Sequence, residues 1–483
     1  MRRFLLVFFL VYVQALAVLA QSQYTELLDN LSDKSLPLIN ITVDIEKVTK
    51  PEYTPATIEI ADPLMRTDGE NVVTKFNAKV KYRGNSSLRY DKKSFNVKLI
   101  NEKGKSLDVN ILGLRLTDAW ILDAMAIDRI RMRNRVNFDT WNAMSRTPYE
   151  TEHEQRNGTV GRFVEVFING IYHGLYCCTD KVDRNLLGVK KADKVTDATP
   201  VIKGVIYKGD GWSAATQLKG YDDQPMDGAA WNKWELDYPD DYPCEEAYTP
   251  MKNFIDYCSK SSDDDFKNGI DKNFYWQNFV DYQVFLLSQG LRDNSFKNTF
   301  LSIVNIKKGN CMMVTPWDLD CSLGGDWDGQ LYNELATMDV VLTVGLYRRL
   351  WNNNVNKYQT AVADRWQQLS ANVLSVEEFN KRLDTYADQI VKSGAWKREY
   401  DMWNNNPVAL TENLYDELSY VKDWYKRNLQ NLNENVYNGI ETGIGYVKTT
   451  ETAPHTLYNI MGQKVNDAYK GIVIENGKKC LRK

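Results

Sequence analysis

Residues 293–320 read DNSFKNTFLSIVNIKKGNCMMVTPWDLD. Asp293 is followed five positions later by Asn298. Thr299 to Ile306 and Cys311 to Thr315 have the length and apolar content of two short strands, with Lys307-Lys308-Gly309-Asn310 as the turn between them. The expected hairpin delivers Pro316-Trp317-Asp318-Leu319-Asp320, and Gly324 and Gly325 follow. In an extended segment Asp318 and Asp320 face one side. Two carboxylates that close repel each other, and a divalent cation offsets the repulsion. An Asp and an Asn five apart is by itself a common helix-end pattern whose side chains make turn hydrogen bonds. The hairpin and the Asp-x-Asp behind it move the reading to a cation-dependent site.

Upstream of this stretch the chain alternates. Pro37 to Asp44, Ala56 to Ile60, Val72 to Arg83 and Ser94 to Ile100 read as strands, with Gly84-Asn85-Ser86-Ser87 as a turn. Ile127 to Met144 has helical spacing, with Ile130, Val136, Trp141 and Met144 in one stripe and Arg129, Arg131, Arg133 and Arg135 lying off it. Phe163 to Cys177 reads as a hairpin about Asn169-Gly170. Residues 205–250, rich in Gly, Asp, Tyr and Trp, read as an irregular insertion or long surface loop. Downstream, Phe274 to Leu291, Tyr347 to Trp351, Tyr358 to Leu369, Val376 to Ser393 and Thr411 to Leu432 read as helices. Residues 440–483 return to short strands around turns. The expected fold class is α+β, with a β-rich opening, a mainly helical body carrying one inserted hairpin, and a small C-terminal β appendix.

Arg2 and Arg3, the apolar run to Leu19 and the small residues before Gln21 read as a secretory signal peptide over residues 1–20, followed by a polar leader over 21–36. No later stretch is apolar for long enough to span a bilayer. The 483-residue chain carries a net charge of −4 and no long basic block, which argues against a nucleic-acid partner. Thirteen Trp and 28 Tyr suit a folded domain with binding clefts rather than a disordered chain. Among the seven cysteines the spacing matches no zinc motif, and only three His are present. Cys244–Cys258 and Cys311–Cys321 are the non-adjacent pairs closest in sequence and so the candidates for disulfides.

Phosphoryl transfer needs a carboxylate to orient the attacking hydroxyl and take its proton, and oxygen ligands for Mg²⁺ on the nucleotide phosphates. Kinase catalytic loops place an Asp and a metal-binding Asn at the 293–298 spacing, and a second metal-binding Asp follows. Asp293, Asn298 and Asp318 match those roles in order. A cation for the phosphates is then expected from the β-rich opening. Lys92, Lys93 and Lys98 are the candidates; Lys92 is expected to be a solvated surface lysine, and the sequence does not choose between Lys93 and Lys98.

Tyr82-Arg83-Gly84-Asn85-Ser86-Ser87 with Lys92-Lys93-Ser94-Phe95, the hairpin Asn169-Gly170-Ile171-Tyr172-His173-Gly174-Leu175-Tyr176, the Asp293–Asn298 loop and Pro316-Trp317-Asp318-Leu319-Asp320 together resemble the signatures of the CotH family of secreted and spore-coat atypical protein kinases. The resemblance spans residues 37–435. It implies an atypical protein-kinase-like two-lobed fold, with an N-lobe over about 37–180, the insertion over 205–250 and a C-lobe over 251–435. It also implies ATP and Mg²⁺ (or Mn²⁺) as cofactors and Ser residues of exported proteins as acceptors. On these positions Asp293 would be catalytic and Asn298, Asp318 and Asp320 would hold metal. Arg83, Gly84, Asn85, Ser86 and Ser87, with Lys93, Lys98 and Lys297, would approach the phosphates, and Cys178, Thr179 and Asp180 would form an adenine-side hinge. Lys297 stands where the family often has His.

The tail, through Tyr458 to Val465 and Lys470 to Ile474, resembles sorting or anchoring modules of exported Bacteroidetes proteins and implies delivery to the cell surface; a plain β domain packing on the catalytic part is the alternative. Two further functions compete with kinase activity. One is a catalytically silent kinase-like surface protein that binds glycan or protein through its many Trp and Tyr. The other is a glycosidase, disfavoured because Asp318 and Asp320 lie too close together to flank a bond at separations of about 5 Å or more.

Overall fold

Apolar residues repeating at period two make a strand face that must be covered, and in the computed structural model of the protein that face closes on itself. Leu38–Val43 (β1), Thr54–Ala61 (β2), Val73–Arg83 (β3), Ser94–Ile100 (β4), Ala119–Asp123 (β5), Gly161–Ile168 (β6) and Ile171–Asp180 (β7) form a closed barrel in the order β1-β2-β3-β4-β5-β7-β6. Every neighbouring pair is antiparallel except β1 and β6, which run parallel and close the ring. Closure leaves no sheet edge to template aggregation. Ile41, Ile58, Val80, Val97, Trp120, Val164, Tyr176 and Cys178 fill the interior. Asn169 and Gly170, both at positive φ, make the tight turn between β6 and β7.

The structure describes residues 23–67, 69–149, 155–193, 201–239, 245–309 and 311–442, and within the tail 457–459, 464–465, 471–475 and 478–482. The expected signal peptide lies outside the described residues. Part of the expected leader does not: Tyr24 and Leu31 are buried against the barrel's outer face, Tyr24 edge-on to Phe167 at 5.2 Å.

A second sheet follows, in the order β12-β11-β8-β10-β9. It joins Val205–Gly209 (β8), Ala230–Trp231 (β9) and Trp234–Tyr238 (β10) to the hairpin Thr299–Ile303 (β11) and Met313–Pro316 (β12). Residues 205–250 are therefore not an irregular surface insertion. Ile206, Tyr207, Leu218 and Trp234 are fully buried, and β8 lies between β10 and β11. Short strands separated by Gly- and Asp-rich turns masked the pattern in the sequence.

The rest of this unit is helical. Its axis is Trp276–Gln289, in which every residue from Asn278 on is buried, so it is covered on all sides. Helices Thr249–Lys260, Gly345–Asn352, Tyr358–Ser370, Val376–Lys392, Ala395–Trp403 and Leu414–Asn431 share one large core with it. The chain is thus mixed α+β, β-rich first and helical later. Thr442–Lys483 is a separate unit, in which Leu457–Asn459 (β13), Lys464–Val465 (β14), Gly471–Glu475 (β15) and Lys478–Arg482 (β16) form a sheet of order β14-β13-β15-β16.

Two local expectations need correction. The helix expected from Ile127 begins only at Arg133. Asp128 accepts from the Ile130 and Arg133 amides, and the Arg131 guanidinium donates to the carbonyls of Met125, Ala126 and Asp128, so the preceding residues are held as turns. Neither cysteine pair is joined. Cys258, Cys311 and Cys321 are free thiols, and Cys311 instead donates to the Asp271 carbonyl.

Candidate active site

The two acidic segments are stitched together by backbone and by one side chain that sequence reading passed over. Asn294 is fully buried, and its amide donates to the carbonyls of Trp317 (2.7 Å) and Asn298 (3.1 Å). The Trp317 amide donates to Asn298 O at 3.1 Å, and the Asn298 amide to Gly209 O at 2.9 Å. Tyr282 anchors the loop from the central helix by donating to Asn294 O. Phe296, Asn298 and Asp318 all have positive φ, at 68°, 50° and 57°. Non-glycine residues are held in this region only where the surroundings over-determine them, and such positions cluster at functional sites.

Within the loop Asp293 is engaged on both oxygens. Lys297 Nζ donates to each, at 2.7 and 2.6 Å, and Asn298 Nδ2 donates to Oδ2 at 2.9 Å. With its amide so used, Asn298 Oδ1 takes no hydrogen bond from the described residues. Lys297 also lies 5.9 Å from the ring of Trp212, which is exposed.

Asp318 and Asp320 differ sharply from Asp293. Neither carboxylate has a hydrogen bond or ion pair from any described residue. The cleft walls crowd Asp318 while leaving it one face open to water. Burial, then the charge of Asp123, push its carboxyl upward against the opposing pull of Arg83. Asp320 is pushed up further, by burial and then by Asp318 and Asp123. No described cation contacts either carboxylate directly, and Arg83 and Lys208 act on Asp318 only from a distance.

Asp123, at the end of β5, belongs to the same cleft and was not anticipated. Asn134 ties it down by donating from Nδ2 to Asp123 Oδ2 at 2.9 Å, while its Oδ1 accepts from the Leu319 amide at 3.1 Å. Arg83, Ile121, Asp123, Asn134, Phe138, Thr159, Thr179, Trp317 and Asp318 line the cavity between the barrel and the helical body. Lys208, on β8, adds a positive charge felt by Asp318. A segment read as a loop offered no reason to look there.

The other expected phosphate and hinge residues divide. Arg83 lines the cleft and covers the Trp317 ring at 5.5 Å. Gly84 has φ +102°, and a Cβ there would lie 1.9 Å from Ser87 Oγ, so the turn behind Arg83 requires glycine. Asn85 and Ser86 are exposed beside the cleft, with Ser87 partly covered. Lys93 is spent on its own turn, donating to the carbonyls of Leu88 and Tyr90. Lys98 is exposed on the barrel exterior near Tyr53, away from the cleft. Of the hinge residues only Thr179 lines the cavity; Cys178 points into the barrel core and buried Asp180 faces Arg115 at 3.9 Å.

Lys92, expected to be solvated, is completely buried. Its ammonium donates to Glu399 Oε1 and to Leu175 O, both at 2.6 Å, and lies over the Tyr176 ring. Glu399 also accepts from Arg131 Nε at 2.7 Å and from the Leu175 amide at 2.8 Å. Burial draws the Lys92 pKa down to about 7 against the pull of Glu399, and the two cations hold Glu399 below the usual carboxylate range. The expected stripe geometry likewise left Arg131, Arg133 and Arg135 unplaced; all three are buried and paired with Glu399, Asp128 and Asp139.

The donor set fits Mg²⁺ carried by a nucleotide. Among the described residues no three His, Cys, Asp or Glu side chains gather as a complete ligand cage. Mg²⁺ does not need one: it keeps waters and phosphate oxygens and takes one or two carboxylates from the protein. Asp318 and Asp320 have no described cation in direct contact, and Asn298 Oδ1 takes no hydrogen bond from the described residues.

The cleft thus brings a carboxylate–amide loop near two carboxylates that no described cation contacts directly. The family described as CotH kinase protein matches residues 80–432, and the chain belongs to that family. Membership points to a kinase-like function. No curated protein is similar enough to the chain to count as a relative.

Proposed function

We propose that this protein transfers the γ-phosphoryl group of ATP to Ser or Thr hydroxyls of exported proteins, with Mg²⁺ or Mn²⁺, on a two-lobed kinase-like framework in which the barrel is the upper lobe. The observation that carries the reading is the pair Asp318 and Asp320, contacted by no described cation and stitched, through Asn294 and Trp317, to the Asp293–Asn298 loop. Asp293 orients the acceptor hydroxyl and takes its proton as the oxygen–phosphorus bond forms and the β–γ bond breaks. Asn298 holds the Asp293 carboxylate in place. Lys297, already on Asp293, meets the charge of the transferring group, and Arg83 approaches the phosphates from above. Asp318, Asp320 and Asn298 would hold the metal, which when bound neutralises phosphate charge. Export rests on the leader-like residues 1–20 and the sorting-like tail, which imply the cell surface or exterior as the place of action.

One observation favours the silent alternative: Lys297 covers both oxygens of Asp293, the state of a blocked base. A single set of measurements separates the two. ATP with Mg²⁺ is expected to raise the melting temperature of the wild type by several degrees, and Asp318→Ala to abolish the rise. Asp293→Ala is expected to keep the rise but lose transfer to self or to a Ser-containing protein. Absence of both binding and transfer in the wild type, with either metal, would end the kinase reading.

A further inference from the structure

Asp318 is not in the extended segment that its spacing suggests. Its φ of 57° turns the chain, so that Leu319 enters the core while Asp318 stays in the cleft. An aspartate tolerates this region better than most residues, but it is kept there only where neighbours fix it. The peptide joining Asp318 to Leu319 is held from two sides. From the helical body, Asn294 Nδ2 donates to its carbonyl at 3.4 Å. From helix Arg133–Met144, Asn134 Oδ1 accepts its N–H at 3.1 Å. Three residues along that helix, and so on the same face, the fully buried Asn137 donates to Leu319 O at 2.9 Å and to Ser322 Oγ at 2.7 Å. One helix thus grips both backbone groups of Leu319, the residue between the two carboxylates.

Asn134 can serve the Leu319 amide only with its oxygen. Asp123 enforces that orientation, because a carboxylate accepts and does not donate, and so takes the NH₂ end at 2.9 Å. Asp123 is itself fixed, its Oδ1 accepting from the Met125 amide at 3.2 Å. An alanine at 134 would leave both the Leu319 amide and the Asp123 carboxylate without this partner, and an aspartate would set a second carboxylate against Asp123. Barrel strand β5 is therefore connected to the Asp318–Leu319 peptide through one side chain.

Resting on the metal-holding role proposed above for Asp318 and Asp320, we infer that Asn134 is a positioning residue for that pair. Oriented by Asp123, it holds the Leu319 amide and thereby keeps Asp318 in the left-handed turn that presents its carboxylate to the cleft. It acts through the backbone and is not itself a ligand.

The test compares wild type, Asn134→Ala, Asn134→Gln and Asp318→Ala. In EDTA, amide hydrogen exchange at Leu319, read by mass spectrometry, should be about tenfold faster in Asn134→Ala, the worth of one hydrogen bond. Amides of helix Trp276–Gln289 should keep their protection. With ATP present, Mn²⁺ binding read by electron paramagnetic resonance should weaken about tenfold in Asn134→Ala and be lost in Asp318→Ala. Asn134→Gln, which keeps both polar groups on a longer stem, should recover part of the affinity. Saturating Mn²⁺ should restore phosphoryl transfer in Asn134→Ala and not in Asp318→Ala, a rescue that a merely structural role would not give. If Asn134→Ala binds Mn²⁺ as wild type does, or loses protection throughout the central helix, the assignment of Asn134 is wrong and the kinase reading stands. If wild type with ATP binds no Mn²⁺, the kinase reading falls and takes this assignment with it.

Discussion

At the scale of single residues, the site is built from groups whose environments pull them apart. Asp293 is held by Lys297 and Asn298, whereas Asp318 and Asp320 repel each other and have no described cation in direct contact. Removing one of two neighbouring charges that repel each other relieves an electrostatic cost of the folded protein. Asp318→Asn is therefore expected to raise the melting temperature of the protein in EDTA while eliminating phosphoryl transfer, read by scanning calorimetry and a transfer assay on the same sample. For Asp293→Ala, transfer should fall by about 10²–10⁴-fold, the usual worth of a positioned general base, with nucleotide affinity within a few-fold of wild type. Asp293, Asn298 and Asp318 were legible in the sequence because their spacing is local. Asp123 and Asn134 were not, since each reaches the cleft from a different element and no spacing links them.

At the scale of elements, the buried Lys92–Glu399–Arg131 cluster joins the barrel to helix Ala395–Trp403. It also holds the turn after Asp123, because Arg131 donates to Met125, Ala126 and Asp128. Breaking a buried ion cluster by removing one member leaves charge unpaired and costs about 3–5 kcal/mol. Glu399→Gln is expected to lose that much in urea unfolding. Gly174 serves the same junction: it has φ +130°, and a Cβ there would sit 2.8 Å from both Glu399 Oε2 and Trp403 Nε1. Gly174→Ala should cost about 1–3 kcal/mol by the same measurement. The hairpin motif containing Gly174 was visible in the sequence, but its role as the seat of Glu399 was not. Lys92 and Lys93 look equivalent as neighbours in a chain, yet one enters the core and the other closes its own turn.

At the scale of the molecule, acid should loosen this junction. His173 packs among Phe95, Tyr176 and Trp403, and burial, then the Lys92 charge, lower its pKa to about 4 against the attraction of Glu399. A histidine whose folded pKa lies below its unfolded value of 6.5 is protonated first in the unfolded chain. Stability therefore falls as pH drops from about 6.5 toward 4, by at most roughly 2–3 kcal/mol for this one group. Glu399, held low by its cations, loses its contribution below about 4.5 in the same direction. His173→Phe should flatten the slope of unfolding free energy between pH 6.5 and 4.5, and an unchanged slope would assign the acid sensitivity to other groups.

Every barrel strand except β5, the hairpin turns, most of the helices and the acidic loop were legible in the sequence, because period, turn chemistry and motif spacing act between near neighbours. It also carried the family, whose motifs are short and ordered along the chain. Long-range packing settled that β5 joins the sheet and closes it as a barrel, that residues 205–250 supply a central strand, that Lys92 is a core cation, and which side chains meet in the cleft. Those outcomes depend on which distant groups exclude water from one another, and burial of that kind has no signature within a short window of sequence.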